Sequence, residues 1–126
     1  MYLVFADSGA KGGMAIRRVQ ADGTTEDLVV PWAGIPSPSL SLAFDKSGAA
    51  HIAYVTSDNH NTSPSRVEYI TNAGGAWQYC AVQVVGLIGG LHEHGVGIAV
   101  DAAGRPHIVF TDVEDSAPTR NAFYAS

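Results

Sequence analysis

The chain has 126 residues, 46% of them hydrophobic and only 15% charged, a balance that argues against a disordered segment and allows a packed core. Twelve acidic residues against seven basic ones give a net charge of −5, which argues against a nucleic-acid partner and disfavours an anionic membrane surface. No apolar run approaches the roughly 20 residues of a spanning helix, and no basic-then-apolar leader precedes Tyr2-Leu-Val-Phe5.

The first predicted element is the apolar strand Tyr2-Leu-Val-Phe-Ala6, followed by a turn at Ala21-Asp-Gly-Thr24. The Pro- and Gly-rich connector Val30-Pro-Trp-Ala-Gly-Ile-Pro-Ser-Pro38 then leads into four short strands, expected at 40–45, 51–56, 66–71 and 77–83. Each is apolar or alternating, rich in Val, Ile, Tyr and Ala, and bounded by Gly, Asn, Asp, Ser or Pro clusters. Ser41-Leu-Ala-Phe-Asp-Lys-Ser-Gly-Ala-Ala-His-Ile-Ala-Tyr54 recurs as Gly97-Ile-Ala-Val-Asp-Ala-Ala-Gly-Arg-Pro-His-Ile-Val-Phe110, so that Asp45, Gly48, His51 and Ile52 return 56 residues later as Asp101, Gly104, His107 and Ile108. Tyr2 to Ala6 aligns with His51 to Val55, Ala21 to Thr24 with Ala73 to Ala76, and Arg66-Val-Glu-Tyr69 with Arg120-Asn-Ala-Phe123. The count is one unit lacking its start (1–38), one whole unit with its connector (39–95) and one lacking its end (96–126). No segment of comparable length reads as an amphipathic helix.

Four antiparallel strands per unit of about fifty residues is the plan of a β-propeller blade. The fold class expected is therefore all-β, a partial β-propeller of four-stranded antiparallel blades with about 2.5 blades in the chain. The Asp-x-x-Gly pairs fit tight hairpin turns, in which Asp accepts bonds from the turn backbone and Gly supplies a positive φ. The equivalent placement of His51 and His107 points to a recurring structural task, such as a bond to the turn beside Asp45 or Asp101. The lone Cys80 falls inside the fourth strand and is expected to be a buried, inert thiol.

On these residues the chain resembles bacterial propeller repeats whose blades read Ser-Leu-Ala-x-Asp-x-x-Gly-x-Pro-His-Ile-x-Tyr, with a variable loop and a third strand ending near Gly-x-Trp. The resemblance covers nearly the whole chain. It touches the Asp-box signature of sialidase-like propellers at Asn72-Ala-Gly-Gly-Ala-Trp77, although the Ser-x-Asp start and the Thr before Trp are absent. It implies a fold and no particular reaction, since propellers host lectins, hydrolases and scaffolds alike. A secreted or cell-surface location is implied by the resemblance alone.

About 2.5 blades cannot close a ring that ordinarily needs four to eight. Open strand edges favour association, so the sequence is either a piece of a longer chain or assembles with copies of itself in a cyclic homo-oligomer, most simply a dimer.

Candidate chemistry lies where the units differ. The loops between second and third strands vary most, and they carry Asp7, Asp58, Asn61 and Asp112, carboxylates and amides suited to sugar hydroxyls or a Ca²⁺ ion; an ordinary polar rim is the plainer reading. Trp32 sits in the Pro-braced connector, where a ring can lie exposed for stacking, whereas Trp77 holds the repeat's own Trp position and reads as packing. His92 and His94, in Gly89-Gly-Leu-His-Glu-His-Gly95, can present two nitrogens to one metal, but they lack a third ligand at defined spacing, and a solvated connector is the plainer reading. No resident cofactor is called for.

Two functions of different classes follow. One is a carbohydrate-binding module with a glycan partner, its ligand residues Trp32, Asp7, Asp58, Asn61 and Asp112. The other is a fragment of a sialidase-like glycoside hydrolase, which the resemblance says would need an arginine cluster, a nucleophilic Tyr with a carboxylate partner, and an acid. Arg66 and Arg120 head third strands and read as structural, and no catalytic set emerges. A purely structural propeller segment of a larger protein is the third reading.

Overall fold

The computed structural model describes residues 1–7, 13–31, 35–57, 64–87, 95–113 and 120–126. They form ten β-strands and no helix: β1 (Tyr2–Asp7), β2 (Gly13–Val19), β3 (Thr25–Val30), β4 (Ile35–Phe44), β5 (Ala50–Ser57), β6 (Pro64–Thr71), β7 (Gln78–Leu87), β8 (Val96–Val100), β9 (Pro106–Val113) and β10 (Arg120–Ala125). All pairings are antiparallel, in sheets ordered β1-β2-β3, β4-β5-β6-β7 and β8-β9-β10. The fold is all-β, as the strand periodicity requires, with sheets of three, four and three strands that correspond to partial blades. Contacts divide the chain into the units Met1–Ala33 and Gly34–Ser126.

In the first unit, Val4, Ile16 and Leu28 stand in register across the sheet, as do Ala6, Met14 and Val30. Met14, Ile16 and Val30 are buried. The other face carries the ion pair between Arg17 and Asp27 at 2.7 Å and the exposed Val29.

In the second unit, β4–β7 and β8–β10 are packed sheet on sheet. Ala53 and Val55 from β5 and Val67 from β6 meet Ile108 and Phe110 from β9, with Val96, Ile98, Tyr69 and Val82 around them. Small residues let the two leading strands approach. The hydroxyls of Ser39 and Ser41 on β4 accept bonds from the backbone N–H groups of Val96 (3.1 Å) and Ile98 (3.3 Å) on β8. Strand β5 is buried from Ala50 through Thr56, on both faces, which is why His51-Ile-Ala-Tyr-Val-Thr56 reads as a nearly continuous apolar run instead of an alternation.

Two strands are longer than the sequence pattern predicts. Strand β4 begins at Ile35, five residues before its expected start, with a register irregularity between Pro36 and Leu40. A proline cannot donate to a ladder, so a bulged edge strand accommodates it. Strand β7 runs on to Leu87, and its pairing with β6 is irregular between Val67 and Glu68.

Candidate functional site

Each of the four tight turns places a glycine in the left-handed region: Gly23, Gly48, Gly75 and Gly104, with φ between 83° and 85°. In three of them an aspartate accepts bonds from the turn: Asp22 Oδ1 takes the N–H (2.9 Å) and the hydroxyl of Thr24, and Asp45 and Asp101 organise their loops more fully. Asp45 Oδ1 accepts from the N–H groups of Ser47 (2.8 Å) and Ala49 (2.9 Å) and from the Ser47 hydroxyl, and Asp101 Oδ1 accepts from the N–H groups of Ala103 (2.8 Å) and Arg105 (3.0 Å). The Ser47 hydroxyl and then the turn amides hold the Asp45 carboxyl at about 2. The Arg105 amide and guanidinium hold Asp101 below the usual carboxylate range as well.

The repeated histidines complete the same arrangement twice. His51 Nδ1 is hydrogen bonded to the Tyr69 hydroxyl at 2.6 Å, with Nε2 3.5 Å from Asp45 Oδ2; His107 Nδ1 meets the Tyr124 hydroxyl at 2.5 Å, with Nε2 3.5 Å from Asp101 Oδ2. A ring carrying its proton on Nε2 suits both contacts, pointing N–H at the carboxylate and accepting the tyrosine O–H on Nδ1. The histidines do face the turn aspartates, but their short hydrogen bond goes to a tyrosine. This Asp-His-Tyr set links each turn to the paired strands β5–β6 and β9–β10.

It also corrects the alignment of the third strands. The His-Tyr separation is 18 residues in one unit and 17 in the other, so the structural counterpart of Tyr69 is Tyr124, not Phe123. Arg66 pairs with Thr56, whereas Arg120 pairs with Val113, which is the repeat position of Ser57. The two arginines are not equivalent. Seven residues separate the register partners Ser57 and Ser65, and six separate Val113 and Arg120, and a shift of one exchanges the faces of a strand.

Strand β5 ends at Ser57 and β6 begins at Pro64, both at the end of the four-stranded sheet opposite the turns 45–48 and 72–75. Asp7 closes β1 opposite Gly13, and Asp112 lies near the end of β9 opposite Asn121. Both occupy the repeat position of Thr56. Trp32, Asp58, Asn61, His92 and His94 lie outside the described residues. Among the described residues no group of three His, Cys, Asp or Glu side chains could hold a metal. Trp77 is half-buried just before β7. Cys80, expected to be buried, is exposed: β7 is an edge strand, and residues 78–81 are all exposed.

One polar cluster was not anticipated. Glu68 is 2% exposed in the middle of β6 and accepts the Tyr79 hydroxyl on Oε1 at 2.9 Å, while Tyr54 stands directly across from it on β5. Burial, and then the charge of Glu68, push the Tyr54 hydroxyl well up; its hydrogen bond to Glu68 raises Tyr79 also. These tyrosines keep their protons and serve as donors. A tyrosine donating to a carboxylate is one element that the hydrolase reading calls for, since an adjacent base can take the hydroxyl proton. The alternation Arg66-Val-Glu-Tyr69 does place Glu68 on a strand face, but only a buried second face makes that position matter.

No family model and no curated protein matches the chain. Among solved structures it is similar to a fucose lectin from Kordia zhangzhouensis determined in complex with methyl-fucoside, with a TM-score of 0.51 over 98% of this chain and 92% of that one. At 13% identity the likeness is one of fold.

Proposed function

We propose that the chain is a carbohydrate-binding module built from β-propeller blades, its ring completed by self-association. In this reading residues 1–38, 39–95 and 96–126 are successive blades, the first and last incomplete. The observation that carries it is the likeness to a fucose lectin along nearly the full length of both chains. The turn chemistry supports it: the tight turns consume their polar groups internally, which leaves the opposite strand ends, where Asp7 and Asp112 stand each in its own unit, as the places for recognition.

The ligand is a neutral or weakly charged glycan, with Trp32 as the stacking platform and Asp7, Asp58, Asn61 and Asp112 as hydrogen-bond partners. Each contact of this kind contributes about 1–3 kcal/mol, so single sites are weak and repeated sites act by avidity. The test is calorimetric titration with a glycan panel that includes methyl-fucoside, on the parent chain and on Trp32→Ala. Binding lost with an unchanged melting temperature supports the reading. No binding of any glycan by the parent chain refutes it, and unchanged binding by the variant removes Trp32 from the site.

A further inference from the structure

We infer that the outer face of the β8–β10 sheet is covered by a second copy of this chain, packed head-to-tail. The inference rests on the ring-closing part of the proposed function and supplies the surface and its polarity. The repeat itself shows what this face is for. On β5 and β6 the side bearing His51, Ala53, Val55, Val67 and Tyr69 is covered by the Ile108 and Phe110 side of the next sheet, which leaves Ala53 0% exposed. The corresponding side of β9 and β10 carries His107, Val109 and Tyr124, with Val109 54% and Tyr124 61% exposed. Gly97, Val109 and Tyr124 stand in one register line across the three strands, so the patch is continuous. It has not been made polar: Val109 is larger and more apolar than the Ala53 it repeats. An apolar face of this kind marks an interaction surface.

The occupant is identified by the covering chemistry already present, an Ile/Phe face and not another His/Tyr face. The chain offers such a face on β1–β3. Leu3 and Phe5 hold the repeat positions of Ile108 and Phe110, and the same face carries Val29, in register with Ala15 and Phe5 and 72% exposed, next to the Arg17–Asp27 ion pair. Both halves of one contact therefore exist on one chain, unlike in kind, and a contact between unlike halves is heterologous: it closes a ring or extends a chain.

Light scattering at high micromolar concentration tests this. The parent chain should show a whole-number multiple of its single-chain mass. Val109→Glu and Val29→Glu, both at exposed positions, should each reduce it to one chain with unchanged circular dichroism, and Ala122→Arg, on the same face as Val109, should repeat the effect. An equimolar mixture of Val109→Glu and Val29→Glu should form a two-chain species that neither forms alone, because one intact half remains on each. A monomeric parent chain overturns the inference together with ring closure, and calorimetry still decides glycan binding separately. A Val109→Glu or Ala122→Arg protein that keeps the parent mass overturns this surface alone. A mixture that stays at single-chain mass overturns the head-to-tail polarity.

Discussion

Replacing Phe110 with Ala tests the packing on which the second unit depends. The ring is 5% exposed between β9 and the Ala53, Val55 and Val67 side of the four-stranded sheet. A Phe to Ala change at such a site costs about 3–5 kcal/mol, from lost transfer energy and the cavity left behind. That is a large share of a native stability of about 5–15 kcal/mol, and for a unit of this size it lowers Tm by roughly 12–40 °C. Val109→Ala, one residue away and 54% exposed, is the internal control. In dilute solution it should change stability by about 0.5 kcal/mol or less. Urea unfolding followed by far-UV circular dichroism measures both. A Phe110→Ala cost under about 1 kcal/mol, or equal costs for the two neighbours in dilute protein, would refute the sheet-on-sheet packing. A Val109→Ala cost that grows with protein concentration is what the proposed head-to-tail contact requires.

The turn glycines give a second stability test: an added Cβ at Gly48 or Gly104 meets nothing within 4 Å, yet φ is +85° and +83°. Gly48→Ala or Gly104→Ala should therefore cost about 1–2 kcal/mol through backbone strain alone, and an unchanged urea midpoint would show that the turns relax. The lowered Asp45 and Asp101 carboxyls set a pH dependence. The unfolded chain binds more protons there than the native one, so their contribution is complete above about pH 4 and is lost as the pH falls towards 2. Urea midpoints should drop over that window, and less steeply in Asp45→Asn; a flat profile from about pH 5 to pH 2.5 would contradict the capped turns.

Strand spacing, the Asp-x-x-Gly turns and the repeated His-Ile were sufficient to read an all-β chain of blade-like units from the sequence, because side-chain alternation and turn chemistry are local properties of adjacent residues. The equivalence of Asp45 with Asp101 and of His51 with His107 was legible for the same reason. Tertiary structure decided what depends on neighbours distant in the chain. It showed that β5 is buried on both faces, which sets Tyr54 against the buried Glu68 and pushes the Tyr54 hydroxyl well up, and that β7 is an edge, which exposes Cys80. It replaced Phe123 with Tyr124 as the counterpart of Tyr69, because a one-residue difference in loop length is invisible to pattern matching yet exchanges the two faces of a strand. It also separated Val109 from Phe110, neighbours of similar character in the sequence, by placing a second sheet against one side of β9 and none of the described residues' apolar core against the other. Periodicity says that a strand has two faces; only the position of the next sheet says which of them is covered.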